Sequence, residues 1–379
     1  MEKIKNIFIV CGEPSGDLMA GNLIEAIKKT DPQIKVSGVG GVHLAKTCDD
    51  LFYDIKELSV MGLFDALKKL PKFLKLKKLI LDRISLDKPQ AIIFVDFSGF
   101  NLRLAKSINN RIPAIYYVSP QVWASRKGRI KLIKKFISKM IVLFKFEEEF
   151  YKKHGIDAAY AGHPLVDLVK PLIEKQEFID NFRLLPVNKT VALLPGSRKQ
   201  EIKYILPAML KAAQLIKDKI TQVQFIIAKA PNLNTEIYQK ECKKFALDLK
   251  IIDGLTSDCL DMADASIVCS GTATLEAAII GKPFVVVYKT SLLNYILYRP
   301  QIKIPYIGMV NIVAGKKIVP EFIQFKASAK NISSSIIDLL LGPKQANLMK
   351  QNLQTLKANL GSSGASGRAA RLILEFLKN

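Results

Sequence analysis

One pattern repeats along this chain: a short apolar run of strand type is followed by a stretch whose apolar residues recur at helical spacing. In a first block the strand-type runs fall at residues 7–11, 35–41, 91–96, 114–119, 140–144 and 158–162. In a second block they fall at 191–194, 223–227, 249–253, 265–269 and 283–288. Strands that alternate with helices pair in parallel. The sequence therefore predicts an α/β fold of two doubly wound, Rossmann-like domains facing one cleft.

The length of the chain agrees with two domains. Its 379 residues exceed the roughly 250–300 at which a single core stops growing. We expect an N-terminal domain over residues 1–165 and a second domain over 166–345. Residues 346–379 are expected to form a helical segment, with a glycine-rich hinge at 361–367, that packs back on the N-terminal domain or on a partner subunit.

The charge of the chain indicates an anionic partner. The formal net charge is +23 and the pI is about 9.6, which favours a nucleic acid, an acidic membrane surface or a phosphorylated substrate. The five cysteines are scattered without metal-like spacing, which is typical of free thiols in a reducing compartment. The N-terminus lacks the pattern of a signal peptide, and no run approaches 18 apolar residues. We expect a cytoplasmic protein.

The loop after the strand at residue 191 is a candidate phosphate site. Gly196 allows a tight turn, Ser197 is a natural helix N-cap, and Arg198 adds a permanent charge with a fork suited to phosphate. The helix amides would then point at a ligand above the strand end. The alternative is an ordinary strand-to-helix turn with a solvated arginine.

A second candidate ligand turn joins the strand at 265–269 to the next helix. Small residues at Ser270, Gly271 and Thr272 leave backbone N–H groups accessible, and Glu276 follows within the helix. This arrangement can bind a pyrophosphate on the amides and a ribose diol on the carboxylate. A purely structural turn is the alternative.

In the first block, carboxylates follow the strands at residues 7–11 and 91–96. The loop after the first strand contains Glu13, Ser15 and Asp17. Its two acids would repel phosphates, so these residues suit contacts with a sugar or another hydroxyl acceptor. The alternative is that they stabilise the turn and cap the next helix. Asp96 ends the later strand, where open α/β sheets bind their ligands, and is the candidate general base. Its alternative role is to cap the next helix.

Residues 60–80 form a basic amphipathic stretch with a proline at position 71 that should end one helix or start the next. Such a stretch can lie in a membrane interface, with lysines on anionic headgroups. The alternative is a stripe that packs on the sheet. The residues expected to contact membrane or acyl chains are Val60, Met61, Leu63, Phe64, Leu67, Leu70 and Leu74.

Taken together, these segments resemble one family, the lipid-A-disaccharide synthases, which are inverting glycosyltransferases of the GT-B fold, family 19. The resemblance spans nearly the whole chain in family order. It is carried by residues 12–17, 60–62, 95–96, 100–101, 117–120, 122–123, 146–147, 162–163, 193–198, 270–273 and 275–276, and by Asn311 and Glu321.

The resemblance implies a reaction in which UDP-2,3-diacylglucosamine and 2,3-diacylglucosamine 1-phosphate give a β-1,6 disaccharide and UDP in lipopolysaccharide biosynthesis. It implies Asp96 as base, and Arg198 with the two helix N-termini as stabilisers of the leaving UDP, with no metal and no cofactor. Glu276 would hold the ribose, and Asn311 and Glu321 would contact the donor. The first domain would bind the acceptor and the membrane, and the second the UDP-sugar.

The resemblance also implies peripheral association with the anionic inner membrane of a Gram-negative bacterium, on its cytoplasmic face, and permits a homodimer. The chain departs from the family pattern at Gly99, where an acid is common, at Tyr116, where a histidine is usual, and at Ser125, where a tryptophan is usual. The alternatives are another GT-B enzyme of UDP-sugars, such as a lipid-linked N-acetylglucosamine transferase or a UDP-sugar epimerase, and a basic nucleic-acid-binding protein. The last lacks a recognisable binding module, so no specific nucleic acid is expected.

Overall fold

The computed structural model describes residues 6–58, 70–125, 128–302 and 304–378, with backbone alone at 298 and 301. The chain forms two compact units. Unit 1 comprises Met1–Pro164 with Leu360–Asn379, and unit 2 comprises Leu165–Asn359.

Unit 1 is built on seven parallel strands in the order β3-β2-β1-β4-β5-β6-β7. The central strands are continuous apolar runs that are buried on both faces, as parallel sheets require. The strands are β1 Asn6–Val10, β2 Lys35–Gly40, β3 Asp50–Asp54, β4 Ala91–Val95, β5 Ala114–Tyr117, β6 Lys139–Val142 and β7 Ala158–Tyr160.

The helices of unit 1 connect these strands, and the last one follows the chain's return from unit 2. Those that the structure describes are α1 Pro14–Thr30, α2 Val42–Ala45, α3 Leu70–Asp87, α4 Ser98–Ile108, α5 Arg129–Phe136, α6 Lys145–Lys153 and α17 Ala365–Lys378, with a 3₁₀ turn at Ile55–Leu58. Strand order reverses between β1 and β4, so the loops after these two strands flank a topological switch point, where such sheets bind ligands.

Unit 2 carries six parallel strands in the order β10-β9-β8-β11-β12-β13. The strands are β8 Lys189–Leu194, β9 Val223–Lys229, β10 Leu249–Asp253, β11 Ala265–Cys269, β12 Phe284–Tyr288 and β13 Glu321–Ile323. Its switch point lies between β8 and β11, so the two turns predicted to bind phosphate are brought to one edge of the sheet.

Ten helices are described in unit 2: α7 Leu165–Leu168, α8 Lys175–Phe182, α9 Lys199–Lys219, α10 Thr235–Cys242, α11 Thr256–Met262, α12 Ala273–Ile280, α13 Leu292–Tyr298, α14 Met309–Ala314, α15 Ala329–Leu341 and α16 Pro343–Asn359. Short 3₁₀ turns lie at Arg299–Gln301 and Gln324–Lys326. Along the described ranges, no helix is both long enough and apolar enough to cross a bilayer.

The C-terminal segment is divided between the units, which corrects the predicted boundary at residue 346. Helix α16 packs on α12 and α15 and belongs to unit 2, because its buried side chains face them. Helix α17 instead packs on α1 of unit 1. Arg368 secures it there, since its Nε donates to the carbonyl of Ala161 at 2.8 Å.

Candidate functional site

Asp96 follows β4 at the switch point of unit 1, in a strained stretch of backbone. Asp96 and Phe97 have φ of 48° and 49°, and Val118, at the end of the neighbouring β5, has φ of 62°. A left-handed conformation is rare for such residues and costs of order 1–3 kcal/mol each. Strain of this kind collects at functional sites, and sequence patterns gave no sign of it.

Several hydrogen bonds hold the Asp96 backbone in place. Its carbonyl accepts from Asn101 Nδ2 at 2.8 Å and from the hydroxyl of Tyr116, while its amide donates to the Tyr117 carbonyl at 3.3 Å. The N-cap of the following helix α4 is Phe97, without a side-chain cap bond, so Asp96 does not cap that helix. The half-buried side chain is thus placed by its backbone contacts at the strand end.

The loop after β1 and the first turn of α1 lie against Asp96 and Phe97. A Cβ at Gly12 would collide with the Phe97 ring, and a Cβ at Gly16 would lie 3.6 Å from that of Asp96. Glu13, the N-cap residue of α1, and Ser15, in the first turn of that helix, are partly exposed. The fold therefore brings two of the three predicted acceptor-side residues, Glu13 and Ser15, to the strand end that carries the candidate base.

The structure gives Asp17 the capping role that was its alternative, and a contact with an acceptor stays a prediction. Its carboxylate is buried and accepts hydrogen bonds from the amides of Gly41, His43 and Leu44, at 2.6, 2.9 and 3.1 Å. These amides open helix α2, so Asp17 satisfies groups that the helix leaves unpaired. The capping alternative applies to this residue.

Glu147 organises the loop that follows β5. Its Oε1 accepts from Ser119 Oγ at 2.7 Å and from Trp123 Nε1 at 3.0 Å, and its Oε2 from the Phe144 amide at 3.3 Å. Burial raises the pKa of Glu147 to about 7. Periodicity could not single out this residue, because its side-chain partners Ser119 and Trp123 lie more than 20 positions away along the chain.

In unit 2 the loop after β8 forms the predicted turn, with Gly196 at φ 111°. Ser197 is not the N-cap: α9 is capped at Arg198, and Glu201 completes a capping box. The Glu201 carboxylate accepts from the amides of Ser197 and Arg198, at 2.9 and 3.2 Å. The position expected for a phosphate is therefore occupied by an internal carboxylate, beside the half-exposed Arg198 side chain.

The turn after β11 presents small, exposed residues in front of a helix. Gly271 and Thr272 are exposed, α12 begins at Ala273, and Ser270 Oγ donates to the Ile307 carbonyl at 3.1 Å. Glu276 lies in the first turn of α12, where burial raises the pKa of its carboxyl group. A carboxyl group held here can accept hydrogen bonds from a sugar diol.

Asn311 and Glu321 support this turn from within the protein. Asn311 is fully buried; its Oδ1 accepts from the amides of Ile318 and Val319, and its Nδ2 donates to the Val319 carbonyl and to Glu321. The structure therefore places Asn311 behind the turn, and a direct contact with the donor stays a prediction. The Glu321 carboxylate accepts from the amides at 307 and 308, both at 3.0 Å, and so positions the segment that meets Ser270.

Most of the predicted membrane contacts lie outside the described residues, namely Val60, Met61, Leu63, Phe64 and Leu67. Leu70 and Leu74 are exposed on α3, which begins at Leu70 with Pro71 in its first turn. The buried face of the same helix is formed by Leu76, Ile80 and Ile84. No group of three or more His, Cys, Asp or Glu side chains that could hold a metal ion is present in the part of the chain that the structure describes.

Comparison with solved structures tests the fold. The S. aureus MnaA–UDP complex has a TM-score of 0.67 at 15% identity, covering 99% of this chain and 97% of that chain. The UDP-GlcNAc 2-epimerase from Neisseria meningitidis bound to UDP-GlcNAc has a TM-score of 0.66 at 15% identity, covering 99% and 100%. The predicted class, α/β with two doubly wound units of the GT-B type, is confirmed.

Comparison with sequences tests the family. The family profile described as lipid-A-disaccharide synthetase matches residues 7–374. The lipid-A-disaccharide synthase of Syntrophus aciditrophicus is 41% identical over 377 residues, covering 99% of this chain and 98% of that protein. The synthase of Myxococcus xanthus is 34% identical over 372 residues, covering 98% and 97%. This chain therefore belongs to the lipid-A-disaccharide synthase family.

Proposed function

We propose that this protein transfers a diacylglucosamine unit from UDP-2,3-diacylglucosamine to 2,3-diacylglucosamine 1-phosphate. The products are lipid A disaccharide 1-phosphate and UDP. Membership of the family supports the reaction. The observation that supports this chain's own chemistry is Asp96, which is held on a strained turn at the switch point of unit 1.

In the proposed mechanism, Asp96 takes the proton of the acceptor's 6-hydroxyl group as that oxygen attacks C1 of the donor sugar. The bond between C1 and the UDP oxygen breaks, and its electron pair leaves with UDP. Attack from the face opposite UDP inverts the configuration at C1. A positioned base typically contributes about 10²–10⁴-fold to such a step. Glu13 and Ser15, beside Asp96, are the proposed contacts to the acceptor sugar.

The second half of the proposal concerns the leaving group. The guanidinium of Arg198 and the backbone amides near Ser197 and Gly271 would stabilise the charge that develops on UDP. For the amides near Ser197 to do so, the Glu201 carboxylate must give way to the diphosphate. Thr272 and Ser270 would line the pyrophosphate, Gly196 would allow its close approach, and Glu276 would bind the ribose. Glu321 would act indirectly, through the segment at 307–308.

We further propose that the protein works in the cytoplasm, at the cytoplasmic face of the inner membrane of a Gram-negative bacterium. The net charge of +23 supports attraction to anionic lipids. Residues 60–74 would contact the membrane and the acyl chains, and the exposed Leu70 and Leu74 agree with this role. A homodimer is compatible with the family. No specific binding of nucleic acid is proposed.

A UDP-sugar epimerase is the second candidate, since two of the structural neighbours are described in connection with UDP or UDP-GlcNAc. One assay separates the two functions: UDP release by the purified protein in mixed micelles, with EDTA present. We expect release only with both diacylated substrates. Turnover of unacylated UDP-N-acetylglucosamine alone would favour the epimerase, and loss of activity in EDTA would contradict the metal-free proposal.

A further inference from the structure

Helix α13 of unit 2 exposes an apolar stripe. Leu292, Leu293, Ile296 and Leu297 are each between 45% and 59% exposed. At about 100° per residue these four positions fall within an arc of roughly 140° on one side of the helix. Phe325, which is 74% exposed, extends the stripe, because its ring meets Tyr295 edge-on at 6.2 Å. We call these five apolar residues, Leu292, Leu293, Ile296, Leu297 and Phe325, the α13 patch.

Packing within unit 2 does not account for the α13 patch. In a helix that serves the core, such as α9, most of the apolar residues are buried, and its buried residues are all apolar. In α13 the relation is reversed, since its leucines and isoleucine are the exposed residues. A contiguous exposed apolar patch on a globular protein usually marks a contact with a partner or a membrane.

The charge of the sequence around the α13 patch favours an anionic partner. Between residues 284 and 330 the sequence contains seven Lys and Arg residues and one acid, Glu321. That acid does not offset them at the surface, because its carboxylate accepts from the amides at 307 and 308 and from Asn311. Arg299 and Lys326 are exposed and directly follow α13 and Phe325, respectively. Apolar side chains bordered by cations suit the interface of an anionic bilayer.

We propose that the α13 patch docks on the surface of an anionic phospholipid bilayer. Its leucines, isoleucine and Phe325 enter the boundary between headgroups and acyl chains, while Arg299 and Lys326 contact phosphate groups. This contact belongs to unit 2 and is separate from residues 60–74. This inference rests on the proposed function, whose substrates are lipids, and adds a membrane contact on the unit proposed to bind the donor.

A second copy of the chain fits the α13 patch less well. A two-fold symmetric contact pairs the same surface of both subunits. Two copies of the exposed Arg299 and Lys326 would then share one interface, which like charges disfavour. An anionic bilayer removes this repulsion, since it supplies the opposite charge.

The test is vesicle binding by the full-length protein. We would measure co-sedimentation with vesicles of phosphatidylethanolamine and phosphatidylglycerol, and with vesicles of phosphatidylcholine alone. The variant Leu293→Gln/Ile296→Gln is compared with a control, Leu341→Gln/Leu348→Gln, whose leucines are similarly exposed in the same unit but outside the patch. We expect the patch variant to bind the anionic vesicles at least about tenfold more weakly, and the control to bind within twofold of the wild type.

Two further measurements keep the result interpretable. UDP affinity, measured by calorimetry, reports the fold of unit 2 and should be unchanged in the patch variant. If the wild type itself fails to bind UDP, the proposed function fails while the vesicle result still stands. A second variant, Ile296→Trp, should show blue-shifted emission and quenching by brominated lipids beyond the Trp123 background of the wild type.

Three results would overturn the proposal. The first is a patch variant that binds anionic vesicles as tightly as the wild type does. The second is Ile296→Trp emission that vesicles leave unchanged. The third is a lipid-free dimer of the wild type, seen by analytical ultracentrifugation, that the patch variant dissociates, since the α13 patch would then be a protein interface.

Discussion

Replacing Glu147 with glutamine should change how the stability of unit 1 depends on pH. Burial raises the pKa of this carboxyl group from 4.5 to about 7. At pH values between these two pKa values, Glu147 stays protonated in the folded state but is ionised in the unfolded chain. Raising the pH therefore destabilises the folded state. The difference between the two pKa values corresponds to about 3 kcal/mol of stability, which is lost progressively between about pH 4.5 and 7 and stays lost above pH 7.

Glutamine cannot ionise, so the variant should lack this pH-dependent loss. Its Oε1 can still accept from Ser119 and Trp123, but its amide nitrogen would face the Phe144 amide, a donor opposite a donor. We therefore expect a pH-independent cost of about 1–3 kcal/mol for the unsatisfied group. The two effects differ in their pH dependence and can be separated.

Urea unfolding at pH 5, 6, 7 and 8, followed by tryptophan fluorescence, would measure the effect. Trp123 is the only tryptophan of the chain and donates to Glu147, so its emission reports this part of unit 1. The unfolding free energy of the wild type should fall by about 2.5 kcal/mol more than that of the variant between pH 5 and 8, because part of the loss has already occurred at pH 5. The opposite contribution of His163, whose pKa burial lowers to about 3, is common to both proteins and cancels. Parallel curves would refute the reasoning.

Three other substitutions test, by chemical denaturation, the hydrogen-bonding and capping roles that the structure gives to Asp17, Asn311 and Glu201. Asp17→Asn replaces one acceptor oxygen by an amide donor and should cost about 1–3 kcal/mol in unit 1; an unchanged midpoint would contradict the capping role. Asn311→Ala leaves two buried amides without an acceptor and should lower the stability of unit 2 by about 3 kcal/mol. A variant that keeps its stability but loses UDP affinity would instead support a direct contact between Asn311 and the donor. Glu201→Ala removes the capping box and should lower stability by about 1 kcal/mol. Its UDP affinity should not fall, because the Glu201 carboxylate no longer occupies the amides of Ser197 and Arg198.

The parts of the fold that could be predicted from sequence are those with strong local patterns. Fully apolar strands such as β4 and β11 stand out because both of their faces are buried. Edge strands β3 and β13 were missed, since β3 is only half-buried and β13 has three residues. The division of the C-terminal segment depends on tertiary packing, since α16 packs on helices of unit 2 and α17 packs on α1 of unit 1. The periodicity of apolar residues shows that a helix has a buried face but does not show which helix that face contacts.

The candidate site divides in the same way. Asp96 was recognised because a strand end followed by an acid is a local signal, whereas the strain at Asp96 and Val118 is a property of the assembled sheet. Asp17 and Asn311 were expected to bind ligands but satisfy buried amides. For Asp17 the partners lie 24–27 residues along the chain. The helix cap lies at Arg198 rather than Ser197 because Glu201, three residues later, completes a capping box with Arg198. This signal is local and could have been read from the sequence.

The most direct test of the proposed chemistry is the rate of UDP release by Asp96→Asn with both diacylated substrates. Asparagine keeps the shape of the side chain but cannot take the acceptor's proton, so kcat should fall by about 10²–10⁴-fold. UDP affinity should be unchanged, and Asp82→Asn, at an exposed acid on α3, should behave as the wild type. A kcat for Asp96→Asn within threefold of the wild type would contradict the assignment of Asp96 as the base.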